Sequence, residues 1–362
     1  MKILFVHYKY DYTNRWERTK RGYHGDYHLF YLPLLEIARK RGHEVLPFWI
    51  DEVIVERGRA GMRQALLETI LKEKPDVCLF YSGNEDDYIR ALPDIKAKSD
   101  TATVYNGMDD SWRFDDSSRR VAPYFSWVVT LYAGGVWKYA KIGCTHLVAT
   151  QVGVNTEACR PVPGPKDIDV SFVGTWSKPR GKIIRDLRGA GVNVFVRGNG
   201  WPEGGVSQDE MARIMSHSKI SLSLNPPAFY FGWRPIVRLF LRRAWLGEGG
   251  SSYKLDIRNF FGNLRSWWQK KIPQIKARHF EIPAFGTMQI TQDADNLKDY
   301  YTPGKEIVIY ADTEDCAEKI RYYLSHPEER EAIARAGYER TVRDHTVEKR
   351  LYDMFSRIGH PL

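Results

Sequence analysis

Residues 274–291 read QIKARHFEIPAFGTMQIT, and this stretch decides the fold. Ile275 to Ala284 is an apolar run of helical length, Ala284-Phe285-Gly286 supplies a stop, and Met288 to Thr291 has the length and composition of a buried strand. A helix that passes through a glycine into a strand is the repeating step of a parallel sheet flanked by helices. Glu281 stands in the middle of the apolar run. A plain core has no use for a charge there, so the carboxylate is expected either to face a polar ligand or to lie on the outer face of an amphipathic helix.

Working outward, the same step recurs along the chain. In the first half, strands are expected at Ile3 to Val6, Glu44 to Trp49, Asp76 to Tyr81, Ala102 to Asn106, Trp127 to Tyr132 and Thr145 to Thr150. Amphipathic helices lie between several of them, among them Leu29 to Lys40 and Met62 to Lys74. Residues 155–169 then carry three prolines and a glycine in a short polar span, which reads as a linker. A second series follows: strand Val170 to Gly174, helix Lys182 to Ala190, strand Asn193 to Arg197, helix Gln208 to Ser216, strand Ile220 to Asn225. After an interruption it resumes with the opening stretch and the strand Ile307 to Tyr310. The expected fold is α/β, two Rossmann-like doubly wound domains facing a cleft, with residues 228–271 as a basic, aromatic helical insertion in the second. Residues 1–155 form the first, 156–340 the second, and 341–362 a helix that can cross back to the first. Open sheets of this kind bind ligands beyond the carboxyl ends of their strands.

The 362 residues suffice for two such domains. The opening MKILFVHY is too short an apolar run for a signal peptide, and no stretch approaches membrane-spanning length, so a cytoplasmic protein is expected. Cys78, Cys144, Cys159 and Cys316 are scattered without a paired spacing, which argues against a zinc site and a disulfide framework alike. The net charge of +9 is local: residues 228–271 hold nine Lys or Arg against Glu248 and Asp256, +7, leaving +2 for the rest of the chain. Eleven aromatic residues fall in the same segment.

The blocks KARHFEIPAFGTMQIT and GKEIVIYADTEDCAEKIRYYLSHPEEREAIARAGYERTVRDHTVEKR, with Phe172-Val173-Gly174, Arg180, Ser218-Lys219-Ile220 and Leu224-Asn225 upstream, resemble the second domain of the CgeB-like (spore-maturation-protein-related) glycosyltransferases. These are a branch of the two-domain GT-B superfamily. The likeness covers roughly residues 169–225 and 272–356, in the family's order. It implies transfer of a sugar from a UDP- or GDP-linked donor to a hydroxyl of a glycan or lipid-linked acceptor, with no cofactor and no metal. It also implies that Glu281 contacts the donor ribose. Many relatives carry another acidic residue eight positions earlier; here that position is Pro273, which leaves open how the sugar is held and whether its configuration is retained. A sugar-nucleotide epimerase of the same fold is the alternative, and a membrane- or nucleic-acid-binding module built on residues 228–271 a third.

The diphosphate needs positive charge and N–H donors. Gly174, Thr175, Lys178 and Arg180 follow a strand and open a helix, with Arg180 suited to bidentate phosphate contact. Lys276 and Arg278 stand at the start of the Glu281 helix, Arg197 ends the next strand, and Asn225 ends the one after. For the acceptor proton, His24 and Asp26 in the long aromatic loop after the first strand are the candidate bases. Asp109 and Asp110, after the fourth strand, are read as acceptor-side or loop-stabilising. In the basic segment, residues 234–247 are expected to form one helix with its stop, Arg234, Arg238 and Arg242 in a stripe, a proline in the first turn and Gly247 after the last. That segment suits peripheral contact with the cytoplasmic face of a membrane, or packing on the body of the protein or on a second copy; no nucleic acid partner is expected.

Overall fold

The computed structural model describes residues 1–9, 32–81, 85–227, 229, 231–245 and 251–361. His24 and Asp26 lie outside the described residues. The chain divides into two compact units: Met1–Gln151 with Ala228–Ile272 and Leu351–Leu362, and Val152–Pro227 with Pro273–Arg350.

The first unit is built on six parallel strands, β1 (Lys2–His7), β2 (Glu44–Trp49), β3 (Val77–Tyr81), β4 (Ala102–Gly107), β5 (Trp127–Thr130) and β6 (Leu147–Ala149), in the order β2-β1-β3-β4-β5-β6. Nearly every residue of β1 and β3 is buried. Parallel strands covered on both faces therefore appear in the sequence as continuous apolar runs rather than as alternation. The helix Ile50–Glu73 is longer than its periodicity suggests because it is two helices joined at Gly58, whose φ of 67° and ψ of 174° break the helical path.

The second unit opens with β7 (Ile168–Val173), β8 (Phe195–Arg197) and β9 (Ser218–Ser223). After β9 the chain departs into the basic segment. There the helix Trp233–Phe240 runs directly into an antiparallel pair, β10 (Leu241–Trp245) and β11 (Ser251–Leu255), followed by the helix Phe260–Gln269. The expectation of one helix over 234–247 is thus corrected. Only its first half is helical, and Arg242 lies on a strand, which breaks the arginine stripe. Gly247, read as the helix stop, lies outside the described residues, and β11 supplies main-chain partners to residues 241–245. The expected insertion in the second domain is corrected as well: the segment interrupts the second unit in sequence but packs with the first.

On return, β12 (Met288–Gln292) and β13 (Val308–Tyr310) complete a second parallel sheet, in the order β13-β12-β9-β7-β8. Val170, Phe172, Ile220, Leu222, Met288 and Ile290 pack one part of its core, and Phe280, Ile282 and Phe285 of the opening stretch belong to another. The boundary between units falls at 151/152, and residues 351–362 group with the first unit.

Candidate functional site at the carboxyl end of the second sheet

In the second sheet β7 pairs with β9 on one side and with β8 on the other. From β7 the chain crosses to β8 at the sheet edge, and from β9 it proceeds the other way to β12. The point where strand order reverses opens a crevice beyond the strand ends, and here it lies beyond Val173 and Ser223.

Two loops are locked together beside that crevice. Gly198 has φ of +138°, and a Cβ there would stand 2.1 Å from the carbonyl oxygen of Gly174. Glycine is required on both counts. Gly174 N–H donates to the Arg197 carbonyl at 3.0 Å, Trp176 N–H to that of Asn199 at 2.8 Å, and the Trp201 indole N–H to the Gly174 carbonyl at 2.9 Å. Ser177 then caps the helix Lys178–Gly189 by accepting from Arg180 N–H.

Arg180 ties the crevice across. Its Nε donates to the Leu224 carbonyl beyond β9 at 3.0 Å and its Nη1 to the Thr175 carbonyl beyond β7 at 2.8 Å, while the guanidinium carbon lies 5.7 Å from the centre of the Phe172 ring. Nε and Nη1, one nitrogen from each bidentate edge of the guanidinium, are thus engaged with main-chain carbonyls. Nη2 has no hydrogen-bond partner among the described residues.

Arg278 reaches the same place from the helix Arg278–Ala284, its Nε donating to the Val173 carbonyl at the end of β7 at 3.1 Å. Its Nη1 is ion-paired with Glu281 Oε2. Glu281 is only 3% exposed, and among the described residues its Oε1 accepts no hydrogen bond. Burial first, and then repulsion from the Arg278 guanidinium, lower the pKa of Arg180. Two guanidiniums against one carboxylate leave a net positive charge in a partly desolvated crevice, which favours an anion, while Glu281 offers an acceptor oxygen beside it.

The helix carrying these groups starts at Arg278 rather than at 275, and a residue missed in the sequence explains the start. His279 is fully buried: its Nδ1 accepts from Lys276 N–H at 2.9 Å and its Nε2 lies 3.1 Å from Thr291 Oγ1. The ring pins the first turn to β12. Burial lowers its pKa to about 4, so it is neutral near pH 7. An N–H that was expected to face an anion is therefore taken up by His279. The only signal for this was a histidine next to an apolar run.

The remaining candidates separate. Asn225 is a tether, its N–H donating to Gln292 Oε1 at 3.0 Å and its side-chain amide to the Gln274 carbonyl. Arg197 turns back along its strand, its guanidinium carbon 4.7 Å from the centre of the Phe195 ring. Lys178 and Lys276 are exposed, as is Thr175, while Gly174 is half-buried. In the first unit, Asp110 is 1% exposed and accepts from the hydroxyls of Ser118 at 2.6 Å, Thr130 at 2.8 Å and Tyr139 at 2.6 Å. Burial raises its pKa, and these three donors oppose the shift. Of its two readings, the loop-stabilising one fits this surrounding. Asp109, beside it, is half-buried with φ of 58°. Among the described residues no three His, Cys, Asp or Glu side chains are grouped so as to hold a metal ion.

Residues 254–356, which include Arg278 and Glu281, match the family model described as "Glycosyl transferase-like". No curated protein matches the sequence. Among solved structures the chain is similar to a glycosyltransferase from Rickettsia africae ESF-5, with TM-score 0.63, 11% identity, and 99% of this chain and 97% of that one covered. It is similar to a sucrose-phosphate synthase from Thermosynechococcus elongatus, with TM-score 0.62, 10% identity, and 99% of each chain covered. It is also similar to HepE of Anabaena in complex with UDP-glucose, with TM-score 0.62, 10% identity, and 98% and 99% covered. At these identities the likeness is one of fold, two parallel-sheet α/β domains with GT-B glycosyltransferase structural neighbours.

Proposed function

We propose that this protein is a glycosyltransferase that moves a sugar from a nucleoside-diphosphate sugar to a hydroxyl of a glycan or lipid-linked acceptor. The observation that carries the reading is the crossing of Arg180, Arg278 and Glu281 at the strand-order reversal of the second sheet. Positive charge and a buried acceptor oxygen meet there, as a diphosphate joined to a ribose requires.

In this reading the net positive charge of Arg180 and Arg278 stabilises the charge that develops on the departing diphosphate. Glu281, through Oε1, accepts from a ribose hydroxyl. Gly174 and Thr175 bring main-chain atoms close to the phosphates, and Lys178 and Lys276 add charge from the rim. Asn225 and His279 position the loop and helix rather than touching the donor. His24 or Asp26 takes the acceptor proton. A uridine nucleotide is the first donor to try, because HepE was solved with UDP-glucose on the same fold.

The test is titration calorimetry of the full chain with UDP, GDP and their sugar conjugates, followed by release of the nucleoside diphosphate. Saturable binding of one nucleoside diphosphate, with turnover of the matching sugar conjugate, is the expected result. Absence of binding to the whole panel would overturn the reading. Recovery of an epimerised sugar nucleotide in place of transfer or hydrolysis would favour the epimerase.

A further inference from the structure

The basic segment of the first unit exposes what a helix normally hides. In the helix Trp233–Phe240 the inward residues are Pro235 and Leu239, and the helix packs on the helix Phe260–Gln269. Its outward residues are Trp233, Ile236, Val237 and Phe240, at 71%, 51%, 39% and 41% exposure. Their spacing of i, i+3, i+4 and i+7 is the apolar stripe of an amphipathic helix, here turned away from the protein. Phe231 precedes it, and Phe261 and Trp268 of the neighbouring helix are exposed as well. Nine of the seventeen exposed large hydrophobic side chains among the described residues fall in this one segment, so the patch is not scattered surface apolarity.

Cations are interleaved with it. Arg238, Lys254, Arg258, Arg265 and Lys271 are exposed, and Lys271 Nζ lies 3.2 Å from the centre of the Trp268 ring. The one acid of the segment's described residues, Asp256, is half-buried and accepts from Asn263 Nδ2 at 3.3 Å.

We infer that this face docks on an anionic lipid bilayer. Rings and aliphatic side chains enter the boundary between headgroups and acyl chains, while guanidinium and ammonium groups stay level with the phosphates. The centre of a protein interface excludes charge, whereas a bilayer surface accommodates apolar and cationic groups side by side. No helix among the described residues is long and apolar enough to cross a membrane, so the helix lies in the plane of the interface. This inference rests on the exposed face alone and does not depend on the nucleotide site.

The test is flotation of the full chain with vesicles of phosphatidylcholine containing phosphatidylglycerol, and with phosphatidylcholine alone. Binding to the anionic vesicles at low salt is expected, weaker by at least about tenfold on the neutral ones. A Trp233→Ser, Ile236→Ser, Phe240→Ser variant and an Arg238→Glu, Arg258→Glu variant are each expected to lose about tenfold or more on the anionic vesicles while keeping the wild-type melting temperature. These residues are exposed, so folding is spared. No flotation of the intact chain at low salt would overturn the inference, and so would a serine variant that floats as well as the wild type. A dimer in solution that the serine variant dissociates, without vesicle binding by either, would make a second copy the occupant instead.

Discussion

Arg278 and Glu281, one helical turn apart, form an ion pair in which the carboxylate is buried and the guanidinium is also bonded to the last carbonyl of β7. The helix is thereby fastened to the sheet through the same side chains that face the crevice. Removing Glu281 leaves Arg278 without its counter-charge as well as deleting an acceptor for the ligand. Glu281→Ala is expected to weaken nucleoside diphosphate binding by about 1–3 kcal/mol, as for other polar groups left unpaired. Calorimetry measures it directly, and unchanged affinity would remove the ribose role.

Arg180 holds two carbonyls on opposite sides of the strand-order reversal. A lysine has one donor centre and cannot span both. Arg180→Lys is therefore expected to lower the melting temperature and to weaken nucleotide binding by about 1–3 kcal/mol. A variant that matched the wild type in both measurements would show that the crossing is incidental.

His279 ties stability to pH. Its folded pKa of about 4 lies below the unfolded value of about 6.5, so between those values the unfolded chain binds the extra proton. Stability is then intact above about pH 6.5 and declines as the pH falls towards 4, by up to about 3 kcal/mol for this group. His345, also held down to about 4 by burial first, acts in the same direction. Denaturant unfolding across this range should show the decline, and His279→Gln should flatten part of it.

Turnover is expected to persist in EDTA. Arg180 and Arg278 can supply the positive charge that a divalent cation would otherwise bring to the leaving diphosphate. Activity lost on chelation and restored by magnesium or manganese would assign that task to a metal.

His24→Ala and Asp26→Ala are each expected to lower kcat while leaving donor affinity close to wild type, because a group acting on the acceptor proton contributes little to donor binding. Steady-state kinetics set beside calorimetry separate the two quantities. Unchanged kcat in both variants would place the base elsewhere in the first unit.

Much of the architecture was legible because parallel strands are buried on both faces. Glu44–Trp49 and the helix Gln208–Ser216 were placed residue for residue. Glu281 was legible too, as a charge inside an apolar run. The task of Arg180 was not, because its partner at Leu224 is 44 residues away in sequence and only the pairing of β7 with β9 brings the two together. His279 was silent for a related reason, since its meaning comes from Thr291 on the adjoining strand. The hairpin of β10 and β11 escaped because residues 234–247 satisfy helical spacing locally, and it is the pairing with β11 that decides otherwise. That residues 228–272 pack with the first unit is a tertiary fact without a local signature.

The first unit is assembled from three separated lengths of chain, and the last of them, residues 351–362, follows the whole of the second unit in sequence. Leu351, Met354, Phe355 and Ile358 are all buried. During synthesis, then, no nascent chain can finish its first unit until residues 351–358 leave the ribosome, although residues 1–151 were made long before. The second unit, likewise interrupted, can close as soon as residue 350 is available. The order of folding is thus set to run against the order of translation, and a chain truncated before Leu351 would lack a part of the first unit and none of the second.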